Sequence, residues 1–271
     1  MCRVLQVSRS GFYDWCGRPP CRRAVEGEKL TRTIRTAHAA SRGTYGAPRI
    51  AAELRARGVR VSTKRVARLM RAARLQGVHL RRRPPQAPPR EPGASDLVSR
   101  SFSTPRPDHI WASDITYLRT GQGWAHLAVV LDLHSRRVVG WQIAPHLRTE
   151  LVLDALHMAI ARRRPAPGLV HHSDHGTQYT SEEFTARLRD LGIAPSLGAP
   201  GSALDNAPVE SFFATLKREI GSGGRFLTRA HARAAVGEWI EVFYNCRRRH
   251  SSLGYLSPVE FERRGSAGTS G

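Results

Sequence analysis

The 271-residue sequence predicts an α/β core on a mixed five-stranded sheet with flanking helices, preceded by a small all-helical region. Three observations carry that expectation. Near residue 109 the texture changes from basic, helically periodic stretches to alternating and apolar β-rich ones. Beyond that point the elements run strand, strand, strand, helix, strand, helix, strand, helix. In the first part the charge has one sign: from Leu54 to Arg90 there are twelve Lys or Arg and no Asp or Glu.

The excess of base extends to the whole chain, with 43 Lys+Arg against 22 Asp+Glu and a net charge of +21. An enzyme of small neutral molecules gains nothing from this, whereas a protein seated on phosphates releases a counterion for each phosphate it neutralises. Only Lys29, Lys64 and Lys217 are lysines, as in a GC-rich coding sequence; codon bias exchanges Lys for Arg but does not create the excess. The four cysteines form no C-x-x-C pair and read as reduced thiols. No apolar run nears the roughly 20 residues of a membrane span, and no signal-peptide stretch opens the chain. The expected location is the cytoplasm, at the nucleoid, without membrane contact.

Six segments follow. Residues 1–27 hold a partial helix-turn-helix-like segment, in which Ser8 suits the N-cap of "SRSGFYDW". Residues 28–80 form a basic helical domain with helices at about 29–40, 48–57 and from Ser62 onward. In the last of these Val66, Leu69, Met70 and Ala73 make an apolar face, and Lys64, Arg65, Arg68 and Arg71 lie on the others, set for phosphate contact together with Arg49. Residues 81–108, rich in Pro and Arg, read as an extended, mobile linker. The core spans 109–221: strands at 109–120, 124–135 and 136–144 as an antiparallel meander, a helix at 149–163, a strand at 168–174, a helix at 180–192, a short strand at 193–198 and a helix at 205–220. A helical extension over 222–262, with one long helix at 228–250, and a disordered tail at 263–271 complete the chain. The strand–helix order is that of a ribonuclease-H-like fold.

The acidic residues of the core carry the chemistry. Asp114 sits inside the first strand, where an unpaired carboxylate is costly unless a cation compensates it. Asp174 ends the fourth strand, where α/β folds place ligand groups. Glu210 shares a helix face with Asn206, Phe213 and Lys217. Three convergent carboxylates need cations between them, and their hard oxygens suit two Mg²⁺ ions, with Mn²⁺ as a substitute. Lys217 is assigned a phosphate contact, Asn206 the orientation of the scissile strand or a water, and Arg248 and His250 of "RRRH" a DNA-facing helix end. Asp132 reads as a strand residue orienting a neighbour or pairing with Arg136 or Arg137. His171, His172 and His175 lack the spacing of a zinc site, and Phe212 and Phe213 read as core.

The motifs "WASDITYL", "HHSDHGTQY", "DNAPVESFFATLKRE" and "YNCRRRHSSLGYLSP", with 35 residues between Asp174 and Glu210, resemble those of D-D-E transposases and retroviral integrases. Together with "SRGTYGAPRIAAEL" they resemble the catalytic-frame product of the bacterial IS-three insertion-sequence family, over residues 2–261. Ser113 stands where Thr is common in the family, and His175 where Arg or His occurs. The resemblance implies metal-dependent DNA cleavage exposing a 3′-hydroxyl, then strand transfer through a circular intermediate. It implies as partners double-stranded DNA (terminal inverted repeats and target), an upstream-frame helix-turn-helix product joined by frameshifting, and further copies of the chain on DNA. A DNA-binding regulator without catalysis, or a nuclease that only hydrolyses, would share parts of this pattern; the filled triad argues against the first. Tyr244 and Asn245 match the motif without an evident chemical role.

Overall fold

The computed structural model describes residues 2–78, 96–199, 203–221 and 226–268. They divide into two units, 1–78 and 79–271.

The first unit holds four helices: α1 (Arg9–Gly17), α2 (Arg22–Ala40), α3 (Ala47–Ala56) and α4 (Thr63–Ala72). Ser8 caps α1 by accepting from the Gly11 amide at 3.0 Å, and Ser62 caps α4 by accepting from Arg65, as expected of N-cap serines. Ile34, Ile50, Leu54, Val66 and Met70 are buried and tie α2, α3 and α4 into one small core. α2 starts seven residues before the predicted position. Its first two turns are solvated and stabilised by i,i+4 pairs such as Arg22–Glu26 and Arg32–Glu28, so no apolar period marks them. α1 has no buried residue.

The second unit is built on β1 (Ile110–Thr120), β2 (Gly123–Asp132), β3 (Val138–Ala144), β4 (Val170–Ser173) and β5 (Ala194–Leu197), in the order β3-β2-β1-β4-β5. β1, β2 and β3 pair antiparallel; β4 joins β1 and β5 joins β4 in parallel. This is the ribonuclease-H-like arrangement expected. α5 (Thr149–Arg163) lays Leu151, Val152, Leu156 and Ala159 on Trp111, Val130 and Val139 of one face. It lies so close that a Cβ at Gly140 would collide with the Ala155 carbonyl. α6 (Glu182–Asp190) adds Phe184 and Leu188 to the same core. α7 (Ala207–Gly221), which follows a 3₁₀ turn at Ala203–Asn206, and α8 (Arg229–Glu238) both contact β1.

Three expectations change. The helix predicted over 228–250 is α8 followed by a π-helical turn at Trp239–Tyr244. The wider turn sends Trp239, Ile240, Phe243 and Tyr244 inward together, so burial outweighs α-helical regularity. Phe212 packs edge-on to Tyr244 at 4.9 Å, which confirms it and Phe213 as core. Part of the stretch read as a mobile linker, 96–108, is a packed strap: Val98 is buried, the Leu97 amide donates to Ser196, and Arg100 pairs with Asp205 at 2.7 Å. Residues 79–95 lie outside the described residues. The tail expected to be disordered from 263 continues instead to 268 in α9 (Pro258–Gly268), anchored by Glu262 on Arg137 and Arg163. Among the described residues no helix is long and apolar enough to cross a membrane.

Candidate active site

β1 lies third in the sheet, between β2 and β4, and presents Asp114 beside the end of β4. The turn after β4 supplies Asp174, whose Oδ1 accepts from the Gly176 amide at 3.0 Å. α7 supplies Glu210 in its first turn. Burial pushes the Asp114 carboxyl up to about 7, against the Ile115 amide that favours its charge; the carboxylates of Asp174 and Glu210 add to the rise and the Lys217 ammonium opposes it. Burial also raises Glu210. Asp114 therefore feels the charges of the three other groups the sequence singled out. Like charges do not close on a point unaided, and among the described residues no three His, Cys, Asp or Glu side chains already converge as a metal cluster.

Neutral hydrogen bonds hold the surroundings. Ser113 shares a 2.8 Å bond from Oγ to His171 Nε2, and its carbonyl accepts from Asn206 Nδ2 at 2.8 Å. His172 bridges the Ser196 hydroxyl and the Asp205 carbonyl, both at 2.9 Å, and so links β4, β5 and the turn that leads into α7. Burial, aided by His172, lowers His171 to about 3, so its ring is neutral at physiological pH. Two polar atoms near this centre are buried without a hydrogen-bond partner: Asn206 Oδ1 and the Tyr179 hydroxyl. Burial raises Tyr179 well above its ordinary value, and the charges of Asp114 and Asp174 add to the rise.

Several assignments are corrected. Asn206 is buried and ties the turn before α7 to the residue preceding Asp114, so it does not face DNA. Arg248 is buried and grips Glu219 through Nε and Nη2 at 2.9–3.2 Å, and His250 is buried with its ring 4.8 Å from Tyr244. Within "RRRH", Arg248 and Arg249 are held by internal ion pairs and His250 is buried against Tyr244, so these three are not a DNA-facing end; Arg247 is exposed. Asp132 is fully buried and accepts from the Asp108 amide, the Ser135 amide and the Ser135 hydroxyl; it caps a turn instead of pairing with Arg136 or Arg137 by a direct bond. Asn245 gains a role: its amide exchanges two hydrogen bonds with Val138, at 3.0 and 2.9 Å, where β3 slips register against β2. Lys217 is exposed, as are Lys64, Arg68 and Arg71; Arg65 and Arg49 are half-buried, Arg49 lying 5.7 Å from the Tyr45 ring centre. Sequence reasoning missed Tyr179, although it stands five residues after Asp174 inside a motif already singled out.

Comparison with known proteins agrees with this layout. Models of an integrase core domain match residues 104–203 and 191–258, and a model of an HTH-like domain matches 26–83. The chain is 41% identical over 271 residues to the transposase InsF for insertion sequence IS3A of Escherichia coli (strain K12), covering 98% of this chain and 94% of that one. It is 38% identical over 266 residues to an uncharacterized 31 kDa protein of insertion element IS600 from Shigella sonnei, covering 97% and 98%. Among solved structures, the catalytic core of BIV integrase is 21% identical, with a TM-score of 0.45 over 60% of this chain and 99% of its own.

Proposed function

This chain belongs to the transposases of the IS-three insertion-sequence family, and from that premise we propose that Asp114, Asp174 and Glu210 are its catalytic, cation-holding carboxylates. The protein is a transposase of D-D-E type, a polynucleotidyl transferase that cleaves and joins DNA strands. The observation that carries the residue assignment is positional: the parallel pairing of β1 with β4 sets Asp114 beside the turn that holds Asp174, and Asp114 feels the charges of Asp174 and of Glu210 in the first turn of α7.

The donor set fits a hard divalent cation: three carboxylates, one of them partly desolvated, with His171 neutral and held by the Ser113 hydroxyl. Two Mg²⁺ ions, or Mn²⁺ in their place, would supply activation of the attacking oxygen and stabilisation of the leaving one. The chain's own residues set the rest. Asn206 and His171 fix the backbone and hydroxyl of Ser113, and with them the position of Asp114 on β1. Lys217, exposed and close enough to act on Asp114, holds a phosphate of the bound strand. α4 offers Lys64, Arg65, Arg68 and Arg71 to the DNA backbone, and the HTH-like match over α2–α4 supports this.

The DNA partners are the element's terminal inverted repeats and the target. Tyr13 and Trp15 of α1, with Val4 and Leu5 of the turn before it, are exposed, which suits a helix from another chain; the upstream-frame helix-turn-helix product fills that role, and copies of the transposase assemble on DNA. The place of action is the nucleoid.

The test is an assay of the full chain on labelled terminal-repeat DNA with Mg²⁺ or Mn²⁺. Cation-dependent nicking and a strand-transfer product of hybrid length are expected, both absent in Asp114→Asn. Nicking without joining would make the protein a nuclease, and binding without either a regulator.

A further inference from the structure

Residues 96–100 of the strap lie where the carriers of the three carboxylates are tied together. Asn206 Nδ2 donates to the carbonyl of Ser113, one residue before Asp114. The Asp205 carbonyl accepts at 2.9 Å from Nε2 of His172, two residues before Asp174. Asp205 and Asn206 close the 3₁₀ turn from which α7 starts, so these two residues set where its first turn, with Glu210, begins. The Asp205 carboxylate is buried and held from two sides: Oδ2 accepts from the Ala199 amide at 2.8 Å, and Oδ1 from Arg100 Nε at 2.7 Å. The packing leaves little room, because a Cβ at Gly198 would meet Asp205 Cβ at 2.9 Å.

Arg100 reaches this point from 105 positions earlier in the chain. Ser99 and Arg100 both take left-handed backbone, with φ of 47° and 59°. Residues with a side chain keep that conformation where the surroundings over-determine it. Here Asp96 accepts from the Val98 and Ser99 amides, and the Leu97 amide donates to Ser196. The strain therefore falls on the residue that grips Asp205 and on its neighbour.

We propose that Arg100 is a positioning residue: by pairing with Asp205 it fixes the start of α7, and with it the place of Glu210 relative to Asp114 and Asp174. The inference rests on the reading of those three as cation ligands. It gives the buried Asp205 carboxylate and the strained turn one common purpose. Groups that orient metal ligands from behind typically weaken metal affinity about 10–100-fold when lost.

The experiment compares the full-length protein with Arg100→Ala, Arg100→Lys and Arg137→Ala by thermal unfolding and by Mg²⁺ titration without DNA, then by single-turnover cleavage of terminal-repeat DNA. Arg137→Ala is the control: its ion pair with Glu262 has the same 2.7 Å length and similar exposure, but it anchors α9. Both alanine variants should lose some stability. Only Arg100→Ala should bind Mg²⁺ about 10–100-fold more weakly and cleave about a hundredfold more slowly at saturating DNA, and Arg100→Lys should recover most of both losses. If Arg100→Ala does not fold, Arg100→Gln, which keeps a neutral donor, carries the same comparison. Lost stability with wild-type Mg²⁺ affinity and cleavage rate overturns the proposal, and so do equal losses of both in Arg137→Ala. Failure of the underlying reading looks different: the wild type would bind no Mg²⁺, or Glu210→Gln would bind it and cleave as the wild type does.

Discussion

Two arginine-rich segments look alike in sequence and end in opposite settings. On α4, Arg65, Arg68 and Arg71 lie half-buried or exposed and, among the described residues, make no ion pair. After the π-helical turn, Arg248 is buried on Glu219 and Arg249 pairs with Glu260 at 3.1 Å. The difference is in what surrounds them. No acidic residue stands near α4 in sequence, whereas α7 and α9 bring Glu219 and Glu260 to the second cluster. Two strand aspartates repeat the contrast. Asp132 has three donors directed at it, while Asp114 has one amide and two repelling carboxylates. A charge neutralised inside the fold holds the fold together; a charge left without compensation is available to a cation or to DNA.

The largest effect that would break this contrast concerns the aspartates. Asp114→Asn should lower cleavage and joining together by at least about a thousandfold, the scale on which members of a catalytic unit act, with folding intact by circular dichroism. Asp132→Asn should instead lower the unfolding temperature, because an amide NH₂ would face the donors of Ser135 and Asp108. If Asp132→Asn removed activity from a fully stable protein, the division between the two would collapse.

The arginines give the next effect. Arg248→Ala strands Glu219 and should cost about 3–5 kcal/mol in chemical denaturation, with no change in the salt dependence of DNA binding by the folded protein. Replacing Arg65, Arg68 and Arg71 by Ala should do the opposite. Each lost phosphate contact lowers the log–log salt slope by about one, so the triple variant should lose about three, at near-wild-type stability. An unchanged slope would remove α4 from the DNA.

The smallest effect sharpens the account of Asp114. Its folded pKa, about 7, lies above its unfolded value, so its contribution to stability is fully present below about pH 4 and is lost as pH rises through 7. A cation competes with that proton. Mg²⁺ affinity should therefore fall about tenfold per pH unit below 7 and level off above it, as read by titration at fixed ionic strength. A flat profile from pH 5 to 8 would mean that Asp114 is ionised throughout.

Periodicity and turn chemistry were enough to place all five strands, the meander and most helices, because alternation and 3.6-residue spacing are local signals. The carboxylates Asp114, Asp174 and Glu210 were legible too, since an acidic residue inside a strand, at a strand end or on a helix beside an apolar run breaks the local pattern. The solvated start of α2, the π-helical turn and the strap over 96–108 were not, and neither were the fates of Arg248, Asn206, Asn245 and Tyr179. The strap and three of these side chains depend on a partner distant in the chain: Arg248 on Glu219, Asn206 on Ser113, Asn245 on Val138, Arg100 on Asp205. Local spacing decides which backbone forms, but the free energy of a charge or an amide is set by what desolvates it and what answers it, and only the folded chain brings those groups together.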